Sequence, residues 1–103
     1  MQVLLNMSVF GMDPQQAVEA PRFATYSFPD SFEPHSYSPG VLYVESRVPA
    51  QVREGLRARG HEVHEWEDFV WRAGAVCVQR PDRAQGVIAA GADPRRPCYA
   101  VGW

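Results

Sequence analysis

The sequence predicts an α+β fold, and three observations carry that reading. Residues 2–21 show apolar side chains at helical spacing broken by a Gly-x-Asp-Pro restart. Residues 41–103 alternate short apolar runs with glycine- and proline-marked turns. Between them, residues 22–40 mix aromatics with prolines in a way that suits neither helix nor strand.

Val3, Leu4, Met7 and Phe10 fall on one side of a helix over residues 2–10, and Gly11 is a natural C-terminal stop. Asp13-Pro14-Gln15-Gln16 restarts the chain. Aspartate stands as N-cap, proline takes the first helical position, and Gln16 lies where a capping-box partner belongs. Pro21 ends this second, short helix after Val18, Glu19 and Ala20. Residues 22–40 hold Phe23, Tyr26, Phe28, Phe32 and Tyr37 among Pro29, Pro34 and Pro39, which reads as an ordered surface loop whose aromatics either line a ligand pocket or, the favoured reading, anchor the loop.

From Val41 the pattern reads βαβββ. Val41-Leu42-Tyr43-Val44 is a strand; Pro49 opens a helix with Val52 and Leu56 on its buried face, and Gly60 closes it. His61 to Trp66 reads as a strand. A small-residue strand from Gly74 to Gln79, of the kind that packs closely under a helix, turns at residues 81–85 into Gly86-Val87-Ile88-Ala89-Ala90, an antiparallel hairpin. A chain of 103 residues is one domain at most, and such a domain buries roughly two-thirds of its unfolded surface.

Composition narrows the function. A formal charge of -2 gives no excess of cations to displace counterions, which argues against a nucleic-acid surface. All ten cations are arginine. No apolar run approaches the ~20 residues of a membrane span, and the N-terminus lacks the basic start of a signal peptide, so no membrane partner and no compartment is indicated. Cys77, in an expected buried strand, and Cys98 read as reduced small hydrophobes and not as a disulfide framework.

His61-Glu62-Val63-His64-Glu65 lacks the four-residue histidine spacing of a zinc helix. In a strand the two histidines point to opposite faces, so the segment reads as a charged, solvated edge strand and no metal is expected. No Gly-x-Ser-x-Gly elbow and no glycine-rich phosphate loop occurs, so no catalytic residue and no cofactor is assigned. The segment over residues 91–103 is the most distinctive. Asp93-Pro94 starts a turn, and Arg95 and Arg96 present donor forks suited to carboxylates or backbone carbonyls. Asp93, Arg95 and Arg96 therefore read as a structural clasp.

Three islands, in order, resemble the γ-glutamyltranspeptidase family. Asn6 to Phe23, ending in Ala20-Pro21-Arg22-Phe23, is similar to the family's helix pair. Leu56-Arg57-Ala58-Arg59-Gly60-His61-Glu62-Val63 resembles its following helix and strand, and Gly91-Ala92-Asp93-Pro94-Arg95 its C-terminal motif. The resemblance implies the last part of the small subunit of an N-terminal-nucleophile hydrolase, an αββα sandwich with antiparallel strands packed with helices. The chain would then be a single partial domain: a helix pair at 1–21, an aromatic loop at 22–40 and a βαβββ-like segment at 41–103.

In that family a self-generated N-terminal threonine attacks a γ-glutamyl amide, its own amine serving as base. The resemblance places that threonine, with the oxyanion-hole residues, before Met1. Thr25, the single threonine, does not stand in a matching processing site. The chain alone is then inactive, its partner being an N-terminal subunit or further copies of itself, with a small γ-glutamyl-type substrate only in the complete enzyme. The aromatic loop is longer and richer in Phe and Pro than is typical of the family, which points toward a divergent amidohydrolase. The competing class is a stand-alone oligomerising or binding module.

Overall fold

The computed structural model describes residues 1–102. In chain order the elements are α1 (Gln2–Ser8), α2 (Pro14–Glu19), β1 (Phe23–Thr25), β2 (Val41–Glu45), α3 (Ala50–Ala58), β3 (Glu62–Trp66), a 3-10 turn (Trp71–Ala73), β4 (Cys77–Asp82) and β5 (Val87–Ala92). They group into two compact units. One comprises Met1–Ala20 with Trp71–Trp103, and the other Pro21–Val70.

In the first unit, α1 ends two residues earlier than its apolar spacing predicts, and Gly11 adopts φ +68 in the connection. That left-handed geometry suits glycine, which carries no Cβ. The expected capping box is present: the Asp13 carboxylate accepts from the Gln16 amide at 2.9 Å, and the Gln16 side chain accepts from the Asp13 amide at 3.4 Å. Val3 from α1 meets Ala17 and Val18 from α2, with Met7, Met12 and Val78 packed around them. Asn6 Nδ2 adds a bond to the Ala17 carbonyl at 3.3 Å.

The β4–β5 hairpin is antiparallel, as expected, with Cys77 opposite Ala92 and Asp82 opposite Val87. Its first strand starts later than predicted, at Cys77, and runs through Pro81 to Asp82. Proline is tolerated because a two-stranded sheet consists only of edge strands. The turn therefore shifts to residues 83–86, where Asp82 Oδ1 accepts from the amides of Ala84 and Gln85 and Gly86 takes φ +68.

The close approach of strand and helix, expected of residues 74–79, occurs instead at Gly91 of β5. A Cβ there would lie 2.5 Å from the Pro14 carbonyl oxygen. Beside it, the Gln15 side-chain amide donates to the Ala92 carbonyl at 3.1 Å and accepts from the Ala92 amide at 3.0 Å. One helical side chain thus satisfies both backbone groups of a strand residue.

In the second unit the strand order is β1-β2-β3. β1 pairs antiparallel with β2, but β2 pairs in parallel with β3, Tyr43 lying opposite His64. The expectation of antiparallel strands therefore holds for two of the three pairings. The third is parallel because α3 crosses over and returns the chain to the same end of the sheet. Pro49 precedes α3 as its N-cap, and no α3 residue is buried; Val52 is 49% exposed. This corrects the predicted buried face. Leu56 is half-buried, and arginines tie α3 to the sheet: Arg53 pairs with Glu65 at 3.3 Å, and Arg57 reaches the Val63 carbonyl and Glu65.

β1 itself departs from the expected irregular loop 22–40. The rest of that segment is ordered by its own backbone, through Ser38 to Tyr26, Asp30 to Ser36 and His35 to Phe32. Its aromatics do not anchor it: Phe28 and Phe32 are 78% and 79% exposed. Tyr26, also exposed, meets Tyr43 edge-on at 5.3 Å.

Candidate functional site

The clasp read from Asp93, Arg95 and Arg96 divides into a buried part and a surface part. Asp93 and Arg95 follow β5 directly and their side chains are fully buried. Arg95 Nη1 donates to Asp93 Oδ1 at 3.1 Å and to the Val18 carbonyl at 2.7 Å, while Nη2 donates to the Ala20 carbonyl at 3.0 Å. The guanidinium fork thus caps the C-terminal end of α2, where carbonyls lack intrahelical donors. Asp93 also accepts from the Val76 amide at 3.1 Å, tying the entry of β4 to the exit of β5. Arg96 lies outside this knot, 5.7 Å from the Trp71 ring centroid and 3.4 Å from its carbonyl. Trp103, the end of the tail, lies outside the described residues.

A second buried charge centre, in the other unit, was not visible in the sequence. Glu45, at the end of β2, is fully buried, and its Oε2 accepts from the Arg22 amide and from Arg47 Nη2, both at 3.0 Å. The Glu45 amide in turn donates to the Arg22 carbonyl at 2.9 Å. Arg47 stacks 3.7 Å above the Phe69 ring centroid, and Phe69 holds φ +52. The only sequence signal was Arg22 within Ala-Pro-Arg-Phe; Glu45 reads as an ordinary strand-end carboxylate.

The remaining candidates stand apart. His61 precedes β3, and His64 lies on the edge strand, where it contacts Glu62 at 2.7 Å and stacks on Tyr43 with ring centroids 5.0 Å apart. Trp66 also stacks on Tyr43, with ring centroids 5.2 Å apart. Among the described residues no three His, Cys, Asp or Glu side chains converge on a metal position. Thr25 lies within β1, its hydroxyl 2.9 Å from Ser27 Oγ. Cys77 is exposed, which corrects its expected burial, because β4 starts there on an open edge; Cys98 is half-buried. The Cys98 thiol is pushed up by burial first, then by its contact with Cys77 and by the Asp93 charge. No helix among the described residues is long and apolar enough to cross a membrane.

The chain resembles known structures along its whole length. LmbA2991HD is 35% identical with a TM-score of 0.88, matching 99% of this chain and 18% of its own. Cephalosporin acylase from Bacillus halodurans is 28% identical with a TM-score of 0.81, matching 100% of this chain and 17% of its own. A Helicobacter pylori gamma-glutamyltranspeptidase mutant is 26% identical with a TM-score of 0.66, matching 92% of this chain and 45% of its own. No curated protein matches. This chain therefore spans less than a fifth of the first two relatives and under half of the third. The family model for gamma-glutamyltranspeptidase matches residues 1–103. By that match, and by the three sequence islands whose elements the fold assembles, the chain belongs to the gamma-glutamyltranspeptidase family.

Proposed function

We propose that this chain is the C-terminal segment of a γ-glutamyltranspeptidase-like amidohydrolase or transferase, part of an αββα sandwich, and inactive by itself. The observation that carries the reading is coverage: the whole chain matches relatives of which it spans only 17–18% or 45%. Its ordered chemistry is structural. Arg95 with Asp93, and Glu45 with Arg22 and Arg47, fix backbone, and none of them holds a nucleophile. Thr25 is no substitute, since its amine is a peptide nitrogen inside a strand and cannot act as the base an N-terminal threonine uses.

In the complete enzyme the segment supplies sheet, helices and one wall on the substrate side. The exposed Phe28, Phe32 and Tyr37 would favour an apolar acyl amide over the glutamyl group alone, a preference in keeping with an acylase among the relatives. The purified chain should give no turnover of γ-glutamyl-p-nitroanilide above buffer. Turnover lost on Thr25→Ala would overturn the reading.

The second reading is a stand-alone oligomerising module, favoured by the apolar side chains left outside. Leu4 and Phe10 near α1, and Val87 and Ile88 on β5, are more than half exposed. Either reading predicts self-association of the isolated chain. They differ when a threonine-bearing subunit is added: the enzyme segment exchanges its own copies for that subunit, and the module does not. Sedimentation showing a well-folded monomer at high concentration would contradict both.

A further inference from the structure

The β4–β5 hairpin has two outer edges, and the fold treats them differently. In an antiparallel ladder, alternate residues turn their N–H and C=O groups inward to the partner strand or outward to the edge. Ala92 sets the parity, since its amide and carbonyl both bond the Gln15 side chain and so point outward. Ile88 and Ala90 share that parity on β5, and their ladder partners Pro81 and Gln79 share it on β4. Pro81 brings no N–H to the β4 edge, which blunts it. On β5 the outward groups of Ile88 and Ala90 engage nothing among the described residues. Both residues are exposed, Ile88 by 67%, and with residues 100–102 of the tail they line an open groove of about 800 Å³.

We propose that the β5 edge is the surface through which this chain self-associates, and that its occupant is β5 of a second copy. This surface underlies the self-association that both readings above predict, and the proposal rests on that prediction. The edge is self-complementary in the antiparallel sense that a two-fold axis requires. With Ala89 facing Ala89 of the second copy across that axis, Ile88 of each copy exchanges N–H and C=O with Ala90 of the other. The two hairpins then become one continuous sheet. The exposed Ile88 side chain lies beside Ala90 of the second copy, which covers apolar surface on both. Pairing stops at Ala92, because Gln15 already holds that residue's groups. Gln15 and both strands of the hairpin lie in one unit.

Sedimentation of the full chain reads the association, and circular dichroism checks that each variant folds. Ile88→Pro removes an outward donor and spares the β4 ladder, as Pro81 does opposite it. It should weaken self-association at least about tenfold. Gln79→Pro, the same change on the β4 edge, should stay within about twofold of wild type. Ala89→Cys, in a chain carrying Cys77→Ser and Cys98→Ser, reads the register. Its Cα atoms should lie about 4.5 Å apart across the axis, so mild oxidation should give mainly cross-linked dimer. If Ile88→Pro fails to fold, this cross-link alone decides. A folded Ile88→Pro that associates like wild type, or Ala89→Cys that does not cross-link, would overturn the edge and leave self-association standing. A monomeric wild type would overturn both. Ile88→Pro that self-associates normally but no longer binds the threonine-bearing subunit would assign the edge to that subunit and overturn the second copy.

Discussion

Replacing Arg95 with methionine tests the buried clasp most sharply. The substitution keeps an unbranched apolar stem and removes the guanidinium. Three acceptors then lose donors: Asp93 Oδ1 at 3.1 Å, the Val18 carbonyl at 2.7 Å and the Ala20 carbonyl at 3.0 Å. Asp93 has a fully buried side chain and cannot turn to water. Removing one partner of a buried pair costs about 3–5 kcal/mol, because the surviving charge stays desolvated. For a domain near this size each kcal/mol corresponds to about 4–8 °C, so the melting temperature should fall by more than about 12 °C.

The double variant Asp93→Asn with Arg95→Met should recover part of that loss. It removes the orphaned charge and leaves an amide oxygen for the Val76 N–H. The coupling energy between the two sites should be about 1–3 kcal/mol. Thermal melts followed by circular dichroism give all four values. A drop below about 3 °C for Arg95→Met, or strict additivity, would refute the assignment of Arg95 as the residue that closes α2 onto β5.

Three further outcomes follow from the geometry. Gly91→Ala sets a Cβ 2.5 Å from the Pro14 carbonyl oxygen, against backbone that cannot rotate away, and should cost about 1–3 kcal/mol; denaturant melts check it. Phe28→Ser with Phe32→Ser should leave the melting temperature within about 2 °C in thermal melts, since both rings are exposed. The Cys98 thiol is raised, so at mildly alkaline pH iodoacetamide should label Cys77 first. In the folded chain the raised thiol keeps its proton longer than in the unfolded chain. Its contribution to stability is therefore complete below the ordinary thiol range and is lost as pH rises above it, a decline that Cys98→Ser should abolish.

What was legible in the sequence was local. Asp13 and Gln16 announce a capping box that needs only four residues to form. Gly11 and Gly60 mark turns because a left-handed φ is a property of one position. Arg95 read as a clasp from its donor geometry alone, although its partners, Val18 and Ala20, lie far back in the chain.

The rest depended on partners distant in sequence. β1 is three residues long and exists because Val41–Glu45 offers it an edge; nothing in Phe23-Ala24-Thr25 demands a strand. Val52 and Leu56 have the spacing of a buried face, yet Val52 is exposed and Leu56 only half-buried, while the charges of Arg53 and Arg57 pair with Glu65 on the sheet. Glu45 was missed because a buried carboxylate is expected only where donors converge, and one of its donors is a backbone amide that carries no residue signature. The exposed aromatics of the loop defied the usual fate of such rings, because backbone hydrogen bonds hold that segment without them.

The central claim is that this family segment completes an enzyme and is not one itself. Its most direct test joins the purified chain to a family relative truncated just before the matching segment. γ-Glutamyl-p-nitroanilide turnover is measured for each part and for the mixture. The account predicts no turnover from either part and restored turnover from a stoichiometric complex, lost again with Arg95→Met. Turnover by this chain alone, or a folded mixture that neither associates nor reacts, would contradict it.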